Sequence, residues 1–204
     1  KLYSQGFARG LPQGPLAEIG SAPNRRGTSV TFTPDTEIFG ERAHFNPATL
    51  YRMAKSKAFL FAGVEIRWKC DPALLANDDP VPSEAVLHYP GGLADYLNDA
   101  TSDKALLVSS PFAEIAELDG QKFEWAITWL AGSEDGFFNS FCNTVPTPLG
   151  GTHETGFRQA IVRALRAFGE LSGNRKAAEI TADDVLASTA VMLSVFLREP
   201  QFQG

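Results

Sequence analysis

Residues 146–158, Pro-Thr-Pro-Leu-Gly-Gly-Thr-His-Glu-Thr-Gly-Phe-Arg, join an apolar run to a strongly two-faced one, and the fold is decided at that junction. Upstream, Phe137, Phe138, Phe141 and Cys142 read as a strand. Pro146 and Pro148 cannot donate to a ladder and place its end near Thr144. Gly150 and Gly151 permit backbone angles closed to other residues, Thr152 is positioned as a helix N-cap, and Glu154 falls in the dipole-favoured first turn. A helix is therefore expected from about His153. At roughly 100° per residue its apolar side collects Phe157, Ala160, Ile161, Ala164, Leu165, Phe168 and Leu171. The opposite arc carries Thr155, Arg158, Gln159, Arg163, Arg166 and Glu170, which makes that face locally basic.

With 204 residues, 44% hydrophobic and 21% charged, the chain has the composition of a globular protein with one large domain or two smaller ones. Its 18 basic and 24 acidic residues give −6, which excludes a uniformly basic nucleic-acid glove, so any DNA contact must be local. No apolar stretch reaches the roughly 18 residues of a membrane-span candidate and no charged-then-apolar leader opens the chain, so a cytoplasmic protein is expected. Cys70 and Cys142 each sit in a strand pattern, without paired Cys or His spacing for zinc, and read as buried free thiols. The opening at Lys1 and the close at 198–204 read as cut ends of a longer protein.

Residues 1–7 and 28–33 are expected to be two strands that pair, with Val30 and Phe32 on one face. Asn46-Pro47 starts a helix running to about Phe61, with Leu50, Met53, Ala54 and Phe61 inward. Val64, Ile66, Trp68 and Cys70 alternate with Glu65, Arg67 and Lys69, a strand with one wet face. Residues 71–83 read as a mobile loop and 84–89 as the returning strand of a long hairpin, so the first unit closes at Gly91-Gly92. A short helix over 93–98 follows, then strands over 106–118 and 123–131 joined by the Asp119-Gly120 turn. The latter strand alternates Phe123, Trp125, Ile127 and Trp129. A turn at 133–136 feeds the strand from Phe137. After the long helix, Thr181 caps a brief helix and 191–198 form the last strand. Strands and helices do not alternate strictly, and the expected fold class is α+β in two parts.

Gly27-Thr28 at the head of a run ending Phe32-Thr33-Pro34-Asp35, then Lys57-Ala58-Phe59-Leu60, Tyr89-Pro90-Gly91-Gly92, Asn143-Thr144 and Gly150-Gly151-Thr152-His153 occur in an order spanning essentially the whole chain. Together with 146–158, this ordered set resembles the ATPase subunits of bacterial type IIA DNA topoisomerases. Asn143 to Pro148, Glu154 and Gly173 to Ala178 are more similar to the topoisomerase IV branch of that family than to the gyrase branch.

The resemblance implies that 1–91 are the C-terminal part of a GHKL ATPase α/β sandwich. It implies that 92–204 are most of a transducer domain of ribosomal-protein-like fold with a left-handed βαβ crossover, against the usual hand. For the parent protein it implies ATP-dependent DNA strand passage, decatenation and relaxation, with ATP and Mg as cofactors. The implied partners are a second copy of the same polypeptide, the DNA-cleaving subunit of topoisomerase IV, and duplex DNA, without a membrane, in a cytoplasmic, nucleoid-associated setting. The family's catalytic glutamate, magnesium-binding asparagine, adenine motif and ATP lid would precede Lys1, and its Gln-Thr-Lys loop would follow Gly204. No catalytic residue is therefore expected here, no stably bound cofactor, and no hydrolysis by this stretch alone, because phosphoryl transfer needs groups that converge on the phosphates.

By the same resemblance Thr28 matches a threonine that helps recognise adenine. From the residues alone it is a solvent-facing strand threonine. Val30, two residues on, either lines the adenine pocket or packs in the core. Arg158 matches an arginine lining the DNA cavity of the dimer, where it would meet phosphate without reading bases; a solvated helix face with intrahelical pairs is the plainer alternative. Arg163 and Arg166 share the arc. His153 reads as helix-start packing or hydrogen bonding, His44 and His88 carry no motif, and Asp78-Asp79 and Asp183-Asp184 read as solvated loop and cap rather than metal ligands. Two competing readings are a module of ribosomal-protein-like fold that holds RNA, which the net charge disfavours, and another GHKL machine of the mismatch-repair or chaperone kind, which 150–158 disfavour.

Overall fold

Residues 189–196, Thr-Ala-Val-Met-Leu-Ser-Val-Phe, carry almost no polar alternation, the mark of a strand covered on both faces. The computed structural model, which describes residues 1–41, 43–75, 80–132 and 136–202, places this strand in the middle of a mixed sheet. The chain divides into two compact units, Lys1–Asn46 and Pro47–Gly204.

The first unit contains strands β1 (Leu2–Ser4), β2 (Phe7–Ala8), β3 (Leu11–Pro12) and β4 (Ala17–Gly20), and a one-turn helix α1 (Thr36–Phe39) capped by Asp35. β1 pairs with β4 and β2 with β3, both antiparallel. The expected strand over 28–33 is not formed. β1 takes the partner that a short loop delivers, which costs less closure entropy than reaching 28–33. Arg9 bridges Asp35 at 3.2 Å and Glu37 at 2.6 Å, and Phe32 meets Phe45 edge-on at 5.4 Å.

The second unit runs α2 (Pro47–Leu60), β5 (Glu65–Lys69), β6 (Glu84–His88), α3 (Leu93–Ala100), β7 (Phe112–Leu118), β8 (Gln121–Trp129), β9 (Phe137–Cys142), β10 (Val145–Pro146), α4 (Thr152–Leu171), α5 (Ala182–Leu186) and β11 (Thr189–Phe196). β5 and β6 form the expected hairpin. The main sheet has the order β10-β9-β11-β8-β7. β9 and β11 are parallel neighbours joined through α4 and α5; every other pair is antiparallel. One face buries Ala126, Leu130, Phe141, Ala190 and Met192 against Leu60 of α2 and Leu93 and Leu97 of α3. The other buries Ile127, Cys142, Val191, Leu193 and Val195, with Phe157 and Ile161 of α4 packed on them. The fold is α+β, a sheet between two helical layers.

Several expectations are corrected. Of α2, Ala58, Phe59 and Leu60 are the buried residues, while Leu50, Met53 and Phe61 are exposed, because the helix docks by its C-terminal end, where Phe59 stacks between Tyr89 and Tyr96. β7 begins at Phe112; Leu106 makes only an isolated bridge to Leu130. β9 does end at Cys142, close to the expected Thr144, but Pro146 lies beyond it in β10, an outer strand where a missing donor costs nothing. The cap of α4 is Gly151, without a side-chain cap bond, rather than Thr152. The turn expected at 133–136 lies mostly outside the described residues, as do Asp78 and Asp79.

The expected apolar arc of α4 holds only in part: Phe157 and Ile161 pack on the sheet and Leu165 is half-buried. Ala160, Ala164, Phe168 and Leu171 are exposed, whereas Val162 and Gly169 are buried. The helix serves two neighbours, the sheet and the 3-10 turn Arg175–Glu179. A Cβ on Gly169 would stand 2.1 Å from that of Ala177, so the turn reaches the helix only over a glycine. At the head of α3, Gly92 has φ +58° and a Cβ there would lie 2.7 Å from the Glu124 carboxylate. Glu124, only 5% exposed, is satisfied by Lys122 at 2.9 Å.

Candidate functional site

β9 turns back into β10 through Asn143 and Thr144, both left-handed at φ 48° and 66°. This conformation is uncommon for asparagine and a clear outlier for a β-branched threonine, and flanking hydrogen bonds hold it. Lys57, one turn from the end of α2, donates from Nζ to the Thr144 carbonyl at 2.6 Å and to its Oγ1 at 2.8 Å. The Asn143 amide donates to the Leu197 carbonyl at 3.0 Å and accepts the Leu197 N–H at 2.8 Å. Two motifs far apart in sequence, Lys57 to Leu60 and Asn143-Thr144, thus meet.

The start of α4 is tied to β9 by side chains. Ser140 and Thr147 hydroxyls lie 2.6 Å apart, Thr147 Oγ1 is 3.2 Å from His153 Nε2, and Ser140 Oγ reaches Glu154 at 3.4 Å. His153 is therefore engaged at the helix start. Glu154 accepts Arg158 through Nε at 3.2 Å and Nη2 at 2.7 Å, and the guanidinium lies 4.3 Å from the centre of the Phe138 ring. Arg158 is held half-buried by an acid one turn before it and an aromatic face beneath it.

The three arginines expected on one polar face are divided. Arg166 turns to the Ile180 carbonyl, with Nε at 2.8 Å. Arg163 is exposed and, among the described residues, has no hydrogen bond or ion pair. Thr28 and Val30 lie in a segment without ladder partners among the described residues, and Val30 is 78% exposed. These two exposed residues do not by themselves enclose a nucleotide. Asp183 and Asp184 open α5, where Asp184 and Thr181 form a reciprocal capping box. Hydrogen bonds from Thr181 hold the Asp184 carboxyl below its ordinary range. His88 Nδ1 lies 3.4 Å from the Val64 carbonyl. No group of three or more His, Cys, Asp or Glu that could hold a metal occurs among the described residues.

Cys142 is a buried free thiol whose pKa burial pushes up, as expected; Cys70 is only half-buried. Lys55 pairs with Asp99 at 2.8 Å. Desolvation is the largest single influence on Lys55 and lowers its pKa, but the Asp99 hydrogen bond and charge, with smaller help from Tyr89 and Tyr51, carry the net value upward.

Sequence reading missed a cleft of about 500 Å³ between α2 and the β9–β10 hairpin, with Arg52 and Lys57 in its wall. Thr49, Arg52, Met53 and Ser56 recur at helical spacing, but a mixed stripe of this kind carries no apolar signal.

The model of the family described as DNA gyrase B matches residues 92–204. The chain belongs to the DNA gyrase B family. It is 51% identical, over 100% of its length, to the B subunit of DNA topoisomerase 4 from Bartonella bacilliformis, of which it spans 30%. With the same protein of Caulobacter vibrioides it is 49% identical over 99% of its length, spanning 29% of that protein. Among solved structures it is similar to the 43K ATPase domain of Thermus thermophilus gyrase B in complex with an aminocoumarin. The TM-score is 0.82 at 30% identity, covering 98% of this chain and 53% of that one. The topoisomerase IV ATP binding domain of Francisella tularensis, at 23% identity and a TM-score of 0.72, shares the fold, covering 99% of this chain and 52% of its own.

The relatives with the higher identities bear the topoisomerase 4 name, the branch that 143–148 resembles. No helix among the described residues is long and apolar enough to cross a membrane.

Proposed function

We propose that this chain is part of the ATPase subunit of a topoisomerase IV, an enzyme that passes one DNA duplex through another at the expense of ATP. The observation that carries this reading is the 51% identity along its full length to the B subunit of a topoisomerase 4. Residues 1–91 belong to the GHKL ATPase domain and 92–204 to the transducer, a division supported by the start of the family match at residue 92. In the parent protein Thr28 and Val30 stand at the adenine end of a site for ATP and Mg completed by other segments. The parent works as a homodimer with the DNA-cleaving subunit on duplex DNA, in the cytoplasm with the nucleoid.

Arg158, Arg163 and Arg166 face the DNA cavity of that dimer. Their division of labour follows from their surroundings. Arg163 is free to neutralise a phosphate, while Arg158, fixed by Glu154 and Phe138, offers an oriented guanidinium edge. Arg166 supports the helix through Ile180 more than it meets DNA.

The test is to join the complete parent protein to its DNA-cleaving partner and assay linked circles. ATP-dependent decatenation without negative supercoiling is expected. The family model's description and the Thermus likeness favour a second reading, the B subunit of a gyrase, which would introduce negative supercoils instead. Neither activity in a folded, reconstituted complex overturns both. Arg158→Ala and Arg163→Ala should lower decatenation and DNA-stimulated hydrolysis more than basal hydrolysis; equal values in all three assays remove their role.

A further inference from the structure

The cleft between α2 and the β9–β10 hairpin has a composition that the proposed function does not use. Its apolar lining comes from Met53, Tyr96, Phe138 and Phe141, and at about 500 Å³ it has the size of a small-molecule site. Two lining residues, Arg52 and Lys57, are cations and none is a carboxylate, in a chain whose net charge is −6. An acidic protein has concentrated uncompensated positive charge on one apolar hollow.

The donors are also unspent. Lys57 gives two hydrogen bonds, both to neutral oxygens of Thr144, and an ammonium has three to give. Arg52 has no hydrogen bond or ion pair among the described residues, so its donors stay with water until an acceptor arrives. Burying a carboxylate against such groups replaces hydration by charge-assisted hydrogen bonds, while a flat ring attached to it removes apolar surface from water.

We infer that this cleft binds a small organic anion, an aromatic ring carrying one carboxylate, with the ring among Met53, Tyr96 and Phe141 and the carboxylate between Arg52 and Lys57. The ligand bridges α2 to the hairpin, beside the link that Lys57 already makes. This inference does not depend on the topoisomerase reading, since it uses only the cleft's own residues.

The probe is 2-naphthoate, with neutral 2-naphthalenemethanol as its control, titrated calorimetrically into the 204-residue chain. One site is expected, with the carboxylate at least about tenfold tighter than the alcohol, the value of one good charge-assisted contact. Arg52→Gln, at an exposed position that should fold normally, abolishes most of that preference. Ser56→Trp fills the cleft and blocks both compounds. Should that variant fold poorly, backbone amide shifts in the unaltered chain locate the probe, and they are expected at 52–57 and 139–147. Equal affinity of the two compounds would mean apolar surface binding only and overturns the inference. So does a preference that survives Arg52→Gln, or a set of shifts centred elsewhere.

Discussion

Lys57 holds Thr144 by both its carbonyl and its hydroxyl, at 2.6 and 2.8 Å, across 87 positions of sequence. The ammonium stabilises a threonine in a left-handed conformation that its β-branched side chain disfavours. Lys57→Met leaves that carbonyl without its donor and should lower the unfolding free energy by about 1–3 kcal/mol, read from urea denaturation. Lys57→Arg should recover part of the loss. An unchanged midpoint in the methionine variant contradicts the role.

At Gly169, α4 and the 3-10 turn Arg175–Glu179 come too close to admit a side chain. Gly169→Ala, favourable by helix propensity alone, should instead destabilise by roughly 1–3 kcal/mol, because its methyl would meet Ala177 at 2.1 Å. Combining it with Ala177→Gly should restore part of the stability. A stabilised single variant would mean that the turn yields.

The pKa of the Asp184 carboxyl is lowered by its hydrogen bonds from the Thr181 side chain and backbone. Its folded value lies below its unfolded one. The stabilisation it gives is therefore present above the ordinary carboxylate range and is lost as pH falls through the folded value. Asp184→Asn should weaken the chain near neutrality and flatten its stability profile on the acid side. Identical profiles for the two proteins would show that the capping box contributes nothing measurable.

The two thiols should differ in reactivity. Burial raises the pKa of Cys142 and shields it, whereas Cys70 follows the end of β5 half-buried. Native-state labelling with iodoacetamide should modify Cys70 first and Cys142 only on unfolding, as read by mass spectrometry. Equal labelling rates would place Cys142 in an open part of the fold.

What could be read in advance depended on whether a residue's partner was local. The β5–β6 hairpin, the Asp119-Gly120 turn and the Thr181 cap carry their own signals, periodicity or turn chemistry, and stand where the sequence puts them, while β11 lies at Thr189–Phe196, two residues ahead of the expected 191–198. The segment 28–33 has strand composition but no strand beside it, and β-propensity without a ladder fixes nothing. The face of α4 was legible only in part, at Phe157 and Ile161, because a helical wheel assumes one neighbour, and this helix has the sheet on one side and a turn over Gly169 on another. The engagement of Arg158 with Glu154 followed a legible four-residue spacing. Its seat on Phe138 required knowing which strand lay beneath. The Lys57 link and the cleft beside it join residues that no periodicity connects.

The side-chain amide of Asn143 imitates the rung that one more residue of β9 would have offered to Leu197. On the β9 side, Leu197 is therefore held by a single planar group where the ladder has ended. A single asparagine thereby carries both hydrogen bonds with which Leu197 continues the line of β11 past the end of β9.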